Sequence, residues 1–308
     1  MPIVRNIFEQ IAKNEAIGSF IAGTPIGREF VHRVAGGEQV EDVIEAAQLL
    51  ADAGRLISLE RAVSGELAEA ESALVFADYA MAVSALASAS LARISEVALL
   101  PEFLLGGRPR IGPLKDLCAQ AQISQVSVMI GMGPDDLVDA TLELVTGLRA
   151  EGFEVGITLQ AVLLRTEGDC ETIGGRVRLV KGAPNYRGPG GDESLERFGQ
   201  AIEVDKSYIR CAKALLRTTA EPGFATHDPR LIEIIQTLTA RLHREKGSYE
   251  FAMYYGRSTG LQQRLTDAGE AVRVYIPFGP GWFGRLVGGL AERPTGLVPA
   301  IRSLLPGA

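Results

Sequence analysis

RVRLVKGA, residues 176–183, is the stretch of sequence that best indicates how this chain folds. Its valines and leucine favour a β-strand, and Val177 and Leu179 alternate with long basic residues. The closing letters KGA add a cation and small residues, which let a ligand approach the backbone closely. A buried strand that ends in a plain turn would have the same letters. The segment therefore predicts a strand and leaves a ligand site open.

Seven further segments of the same kind alternate with helical segments along the chain. Eight strand–helix units over about 250 residues predict a (β/α)8 barrel of the TIM type, an α/β fold. A doubly wound sheet is the rival, but no GxGxxG motif opens a helix after the first strand. The expected strands are 55–60, 90–96, 125–131, 155–161, 176–181, 222–226, 249–253 and 271–276; the expected helices include 136–151, 192–217 and 228–246.

The chain divides in the prediction into a helical N-terminal arm, residues 1–54, and a barrel, residues 55–308. The amphipathic segment 40–53 and the probable cap at Gly54 close the arm. Active sites of such barrels lie at the C-terminal ends of the strands. Polar groups expected at those ends are Arg93, Glu96, Gln160, Arg178, Thr226, His227, Glu250 and Tyr275, with glycines at 131 and 133.

Composition narrows the function further. The net charge of −7 argues against nucleic acid as a partner. Three widely spaced cysteines without a CxxC pair suggest neither a metal site nor a disulfide framework, so a cytoplasmic location is the simplest expectation. The charged N-terminus does not read as a signal peptide, and we expect no transmembrane segment.

Further motifs carry a family resemblance. FATHD at 224–228, YEFAMYYG at 249–256, RVYIP at 273–277 and the segment 282–294 resemble, with RVRLVKGA, the conserved segments of the proline dehydrogenase family, in its order and spacing. The resemblance covers nearly the whole chain, more weakly in the N-terminal third. It implies a (β/α)8 barrel with its last helix over the barrel mouth, and FAD that takes a hydride from proline to give pyrroline-5-carboxylate.

The cofactor half of the family site is retained. The resemblance implies that Gln160 contacts the isoalloxazine ring and that Arg178 lies near flavin N5, where a guanidinium would stabilise negative charge. Plain structural roles would be a barrel-interior amide for Gln160 and an internal salt bridge for Arg178. Residues matched to the flavin and its phosphates are Val180, Lys181, Gly182 and Ala183; those matched to the adenosine part or to ribose or ribityl hydroxyls are Thr226, His227 and Glu250.

The substrate half has changed on the last helix. Two arginines that pair with the proline carboxylate in the family are Gly288 and Gly289 here, and a tyrosine that packs on the proline ring is Arg285. Arg285 could reach a substrate anion from a new direction or simply be solvated. Glu292 and Tyr275 are kept, and Tyr275 is a candidate catalytic residue.

The strands carry further changes. The family's strand lysine aligns loosely with Arg93, and its aspartate and glutamate align with Gly131 and Gly133. The tyrosine after KGA is Pro184, and Glu66 is a candidate for the family's gating glutamate. Substrate-binding candidates are therefore Arg285, Gly288, Gly289, Arg93, Glu292 and Gly131.

Loss of the arginine pair predicts that free proline is a poor substrate, because its carboxylate would lose charge-assisted bonds. We expect an amine or imine whose carboxyl group is masked as an ester, amide or carrier-protein thioester, oxidised in a specialised biosynthetic pathway. Reduced flavin would pass its electrons to a quinone or to oxygen. An ordinary proline dehydrogenase that uses Arg285 and Arg93, or an inactive flavin-binding scaffold, remain alternatives. The oligomeric state is left open.

Overall fold

The computed structural model describes residues 35–63, 68–182 and 196–280. Eight parallel strands in these ranges form one closed barrel, in chain order, with the first strand paired to the second and to the eighth. This closure confirms the (β/α)8 barrel and rules out the doubly wound sheet. The strands are β1 Leu56–Arg61, β2 Ser95–Leu99, β3 Ser127–Ile130, β4 Val155–Gln160, β5 Arg176–Val180, β6 Glu221–Ala225, β7 Glu250–Tyr254 and β8 Val272–Phe278.

Helices lie outside the barrel and connect successive strands. All four helical segments expected from the sequence contain a helix, with ends that differ by a few residues. The described helices are α1 Val40–Asp52, α2 Glu69–Ser88, α3 Pro101–Leu105, α4 Ile111–Ser124, α5 Val138–Ala150, α6 Thr166–Thr172, α7 Ala201–Leu215, α8 Pro229–Arg241 and α9 Thr259–Asp267, with 3-10 turns at Ala92–Ile94 and Asp135–Leu137.

Most large apolar residues of the strands face outward, and charged residues of β2, β5, β7 and β8 face the barrel interior. On β5, Val177 and Leu179 are buried in the main hydrophobic cluster, which also contains helix residues such as Tyr79 and Tyr208. Arg178 instead contacts Glu96, on a strand that is not its neighbour, so this contact crosses the interior. The hydrophobic core therefore lies between strands and helices, and the barrel interior is left for charged groups.

One expected strand is displaced. The segment 90–96 was predicted as β2, but Ala92–Ile94 forms a 3-10 turn and the strand begins at Ser95. Leu91, which precedes the turn, is buried against the core and gave the segment its strand-like pattern. The shift moves Arg93 to the N-terminal side of β2.

Helix α2 is long and apolar enough, by length and composition alone, to cross a membrane, which the sequence analysis did not foresee. Its buried face, including Val75, Tyr79 and Val83, packs in the main cluster. On another face Asp78 pairs with Arg61 Nε at 3.0 Å. These contacts are typical of a helix that covers a barrel.

The described residues include the end of the predicted N-terminal arm, as α1. The rest of that arm and the expected last helix over the mouth fall on residues 1–34 and 281–308, outside the described ranges. The proposed division at residue 54 stays a prediction.

Candidate active site

A cluster of five charged residues lies in the barrel interior, four of them within the first two residues of their strands and Arg178 in the middle of β5. Its members are Glu96, Arg176, Arg178, Glu250 and Arg273, called the charge cluster below. Glu96 is its centre and is fully buried. One carboxylate oxygen accepts a hydrogen bond from Arg178 Nη2, and the other accepts from Arg176 Nη2 at 2.9 Å. Arg273 Nε lies 3.6 Å from the same carboxylate.

Glu250 is the second acid of the charge cluster. Its two oxygens accept from Arg273 Nε at 2.6 Å and from Arg273 Nη2 at 2.8 Å, a bidentate pair. Arg273 Nη1 also donates to the backbone carbonyl of Ile57 at 2.7 Å. Both Glu250 oxygens are thus already bound by a guanidinium.

Burial by itself would raise the pKa of Glu96, but the positive charges of Arg178, Arg273 and Arg176 outweigh it and hold that pKa far below its usual range. Burial lowers the pKa of Arg273, and the facing carboxylates of Glu250 and Glu96 raise it above its ordinary value. Glu96 and Arg273 are therefore both charged at neutral pH.

Three predicted placements are wrong. Glu96 is the second residue of β2, Glu250 is the first residue of β7, and Arg93 precedes β2, so none lies at the C-terminal end of its strand. Arg93 donates from Nε to the Gln125 side chain at 3.2 Å on the surface. Because binding sites of such barrels lie at the other end, Arg93 does not fit a substrate role, nor Glu250 a role toward ribityl or ribose hydroxyls. The next residue of β2 on the same face as Glu96 is Ala98, which is buried and carries no charge.

At the C-terminal end of the barrel, Gln160, Gly133 and Gly182 come together. Gln160 ends β4 and donates from Nε2 to the Gly133 carbonyl at 3.0 Å. Gly182 has φ +76°, and a Cβ there would lie 2.5 Å from Val162 Cγ1 and 2.9 Å from Gln160 Oε1. Only glycine fits this position, which keeps the backbone after β5 open. Val180, the last residue of β5, pairs in register with Gln160.

Lys181 follows β5 as a partly buried cation. Its Nζ lies 2.6 Å from Asp205 Oδ1 and 4.0 Å from Asp228 Oδ2. A hydrogen bond from the Arg230 side chain, helped by Lys181, lowers the pKa of Asp228. The cation predicted to meet flavin phosphates is therefore held by carboxylates in this structure.

The residues after β6 lie against the end of β7. Thr226 Oγ1 accepts from the Asp228 N–H at 3.1 Å, and His227 Nε2 accepts from the Tyr254 N–H at 3.2 Å. The His227 and Tyr254 rings stack at 6.0 Å. The FATHD segment is thus built into the barrel rim, where its backbone and rings are fixed.

Tyr275 joins this rim to the charge cluster. Its ring lies edge-on to that of Tyr254, with centroids 5.4 Å apart, and the Arg178 guanidinium carbon is 5.8 Å from its centroid. The structure therefore brings Arg178 and Tyr275, the two predicted catalytic residues, into contact.

Gly131 follows β3 and its N–H donates to the Leu99 carbonyl at 2.7 Å. A Cβ there would be 3.2 Å from that carbonyl and 3.1 Å from Leu100 Cδ2, a tight fit for any larger residue. The remaining predicted residues lie outside the described ranges: Ala183, Pro184, Glu66, Arg285, Gly288, Gly289 and Glu292.

Sequence reasoning missed the charge cluster as a unit. Arg176 and Arg273 were not singled out, although each alternates with apolar residues on its strand, as Arg178 does. That alternation was the available signal. It places charged residues inside the barrel but does not show which strand across the interior supplies the partner.

The residues present fit a flavin nucleotide. Arg178 is 6% exposed, and its Nε has no hydrogen-bond partner among the described residues. The open backbone at Gly182 adjoins a cation, Lys181, and an amide, Gln160. A guanidinium donor, an amide and a glycine cradle are the groups that a charged, planar cofactor needs.

Fold and site thus define a (β/α)8 barrel with a nucleotide-compatible C-terminal face. A family model described as proline dehydrogenase matches residues 43–281 of this chain. The chain belongs to the proline dehydrogenase family, whose members are FAD-dependent oxidoreductases that act on a C–N bond. The resemblance stated from the motifs is confirmed.

Individual relatives agree with the family. Proline dehydrogenase 2 of Bacillus subtilis (strain 168) is 29% identical over 187 residues, which cover 60% of this chain and 60% of that protein. Proline dehydrogenase of Deinococcus radiodurans is 28% identical over 294 residues, which cover 89% of this chain and 90% of that protein. The chain thus matches about three fifths of the Bacillus protein's length.

Solved structures share the fold. Proline utilization A from Bdellovibrio bacteriovorus has a TM-score of 0.77 at 20% identity, over 89% of this chain and 34% of that chain. Proline utilization A from Corynebacterium freiburgense has a TM-score of 0.69 at 17% identity, over 97% and 34%. At these identities the likeness establishes the barrel alone.

Proposed function

We propose that this chain binds FAD at the C-terminal end of the barrel and dehydrogenates a C–N bond of an amine or imine other than free proline. The residues proposed to hold the cofactor are Gln160, Arg178, Val180, Lys181, Gly182, Ala183, Thr226 and His227. When bound, FAD supplies the acceptor for a hydride. Membership of an FAD-dependent family and the fit of the described residues support this assignment.

Arg178 is the residue proposed to act on the cofactor's charge. It is buried, it contacts the Glu96 carboxylate, and it has an Nε–H to donate. A fixed cation in a dry site stabilises negative charge more strongly than it would in water. The ring of Tyr275 lies beside the guanidinium, whose carbon is 5.8 Å from the ring centroid.

One observation supports a substrate other than free proline. Arg61 ends β1 and pairs with Asp78, and Lys181 follows β5 and pairs with Asp205. Arg178, in the middle of β5, contacts Glu96. Ala98, the penultimate residue of β2, and Gly131, which follows β3, carry no charge. Among these described cations, a free carboxylate would therefore find none without a carboxylate partner, and an unpaired carboxylate is costly to bury.

The reduction of the flavin by the substrate needs only the substrate, FAD and a proton acceptor. A hydride leaves the carbon next to nitrogen, the C–N bond becomes C=N, and the nitrogen gives its proton to solvent or to a nearby base. The nitrogen must be neutral when the hydride leaves, because its lone pair stabilises the developing cation. A masked carboxyl group, as ester, amide or carrier-protein thioester, would need no cation of its own. The electrons would then pass to a quinone or to oxygen.

A second candidate is an L-proline dehydrogenase. The names of the Bacillus and Deinococcus relatives favour it. It would require cations from outside the described ranges, such as Arg285, to bind the carboxylate.

An anaerobic visible spectrum separates these readings. Purified protein loaded with FAD is mixed with L-proline, L-proline methyl ester or L-prolinamide at equal concentration. We expect the flavin absorbance to bleach at least tenfold faster with the ester or the amide than with L-proline. Equal or faster bleaching by L-proline would establish the second candidate. A flavin that none of the amines reduces would favour the inactive scaffold, and a protein that takes up no FAD would refute the cofactor assignment.

A further inference from the structure

We propose that Glu96 is a positioning residue that, through Arg178, sets the reduction potential of the bound flavin. The inference rests on the proposed function, since it concerns the same cofactor. It adds Glu96, which is buried in the barrel interior, to the residues that affect the flavin.

The contacts of Glu96 divide its carboxylate between two arginines. One oxygen is bound by Arg178 Nη2 and the other by Arg176 Nη2 at 2.9 Å. Ser58 Oγ lies 3.5 Å from the same Arg178 nitrogen. Glu96 and Ser58 thus fix one edge of the Arg178 guanidinium from the start of the strands.

The remainder of that guanidinium is available on the other side. Its carbon lies 5.8 Å from the ring centroid of Tyr275, which in turn contacts Tyr254 at the C-terminal end of the barrel. Arg178 Nε is buried and makes no hydrogen bond to any described residue. A group clamped at one edge and unsatisfied at another is preorganised for a partner that the described residues do not supply.

The charges give the direction of the effect. In the charge cluster three guanidinium groups face two carboxylates, so one positive charge is in surplus. Reduced flavin carries more negative charge than oxidised flavin. Removing the Glu96 charge would strengthen the positive field around Arg178 and favour the reduced form.

Glu250 is a matched control within the same cluster. It lies in the barrel interior like Glu96 and binds Arg273 and Arg176, but no hydrogen bond or ion pair joins it to Arg178 in the described structure. If Glu96 acts through Arg178, the two acids differ in their effect on the flavin. If only the net charge of the barrel matters, they act alike.

The experiment measures the two-electron reduction potential of bound FAD against a reference dye in wild type, Glu96→Gln and Glu250→Gln. We expect Glu96→Gln to shift the equilibrium toward reduced flavin at least tenfold, about 30 mV. Glu250→Gln should shift it less than threefold. Equal shifts in the two variants, or none in Glu96→Gln, would overturn the inference and leave the proposed function intact.

Both variants leave buried arginines short of a partner and could fail to fold. Glu96→Asp and Glu250→Asp keep the charge and withdraw it by one methylene group. Glu96→Asp should then shift the equilibrium in the same direction by about threefold, and Glu250→Asp should match wild type. A Glu96→Asp potential equal to that of wild type would overturn the inference. Wild-type protein that binds no FAD would overturn both it and the proposed function.

Discussion

The two ends of the barrel interior are built in opposite ways. Where the strands begin, the charge cluster pairs every charge with an opposite one, and its acid Glu96 is fully buried. Where the strands end, the interior offers an open glycine backbone at Gly182, the amide of Gln160 and the partly exposed ring of Tyr254. The first end is arranged for a fixed geometry, and the second is arranged for access.

This difference suggests how the family fold can change substrate. Within the charge cluster, Glu96 holds Arg178 from the side where the strands begin, whichever ligand binds at the C-terminal end. Residues at the C-terminal end, such as Gly131 and Ala98, can vary without breaking an ion pair. Substitutions at the two ends should therefore separate stability from function.

The largest effect is expected at Arg273. Replacing it with Met removes a bidentate partner of Glu250 and the donor to the Ile57 carbonyl, and leaves the buried Glu96 and the partly buried Glu250 with less compensation. Breaking a buried pair from one side should lower the free energy of unfolding by about 3–5 kcal/mol. Urea unfolding followed by circular dichroism measures it.

Lys115→Met is the control for Arg273→Met. Lys115 Nζ pairs with Glu151 at 2.7 Å on the surface, and such pairs contribute about 0–1 kcal/mol. Similar losses in the two variants would contradict the view that the cluster end is the structural one.

The pH dependence of stability tests the same end. The pKa of Glu96 is lowered in the folded chain from an ordinary value of 4.5. The unfolded state therefore binds one more proton as pH falls below about 4.5, and the stability from Glu96 is lost in that direction. Wild type should lose up to about 1.4 kcal/mol per pH unit more than Glu96→Gln below pH 4.5.

Unfolding free energies of wild type and Glu96→Gln between pH 3 and 7 check this slope. The gap between the two proteins should be widest near neutral pH and narrow in acid. A gap that is constant over the whole range would mean that Glu96 titrates normally when folded.

The sequence predicted the barrel because the alternation of apolar and polar residues within a strand can be recognised without the rest of the chain. Val177 and Leu179 face the helices and Arg178 faces the interior, and the same alternation repeats on other strands. The segment 90–96 was predicted as a strand because Leu91 is apolar, as a buried strand residue would be. In the structure Leu91 is buried but is followed by a 3-10 turn.

The site was predicted less completely for a different reason. Arg178 and Glu96 are 82 residues apart and meet only because β2 and β5 face each other across the closed barrel. No spacing along the chain encodes that meeting. Glu250 was assigned to the wrong end although the expected strand 249–253 begins next to it, because its role was carried over from the family motif and not from its position in the strand.

Gly182 offers the sharpest test of the open end, with the smallest expected effect on stability. Its φ of +76° disfavours any other residue, and an added Cβ would lie 2.5 Å from Val162 Cγ1. Gly182→Ala should lower the free energy of unfolding by about 1–3 kcal/mol. It should weaken FAD binding at least tenfold, because the backbone after β5 must shift. Thermal unfolding and fluorescence titration with FAD measure the two.

Gly168→Ala is the control for Gly182→Ala, because it replaces a glycine outside the proposed cofactor site. Gly168 lies in α6 with nothing within 4 Å of an added Cβ, so alanine should be neutral or stabilise by about 0.5–1 kcal/mol and leave FAD binding unchanged. A Gly182→Ala protein that binds FAD as wild type does would place the cofactor elsewhere on the barrel. One that loses FAD affinity but keeps most of its stability would mean that the C-terminal end can be altered while the charge cluster holds the fold.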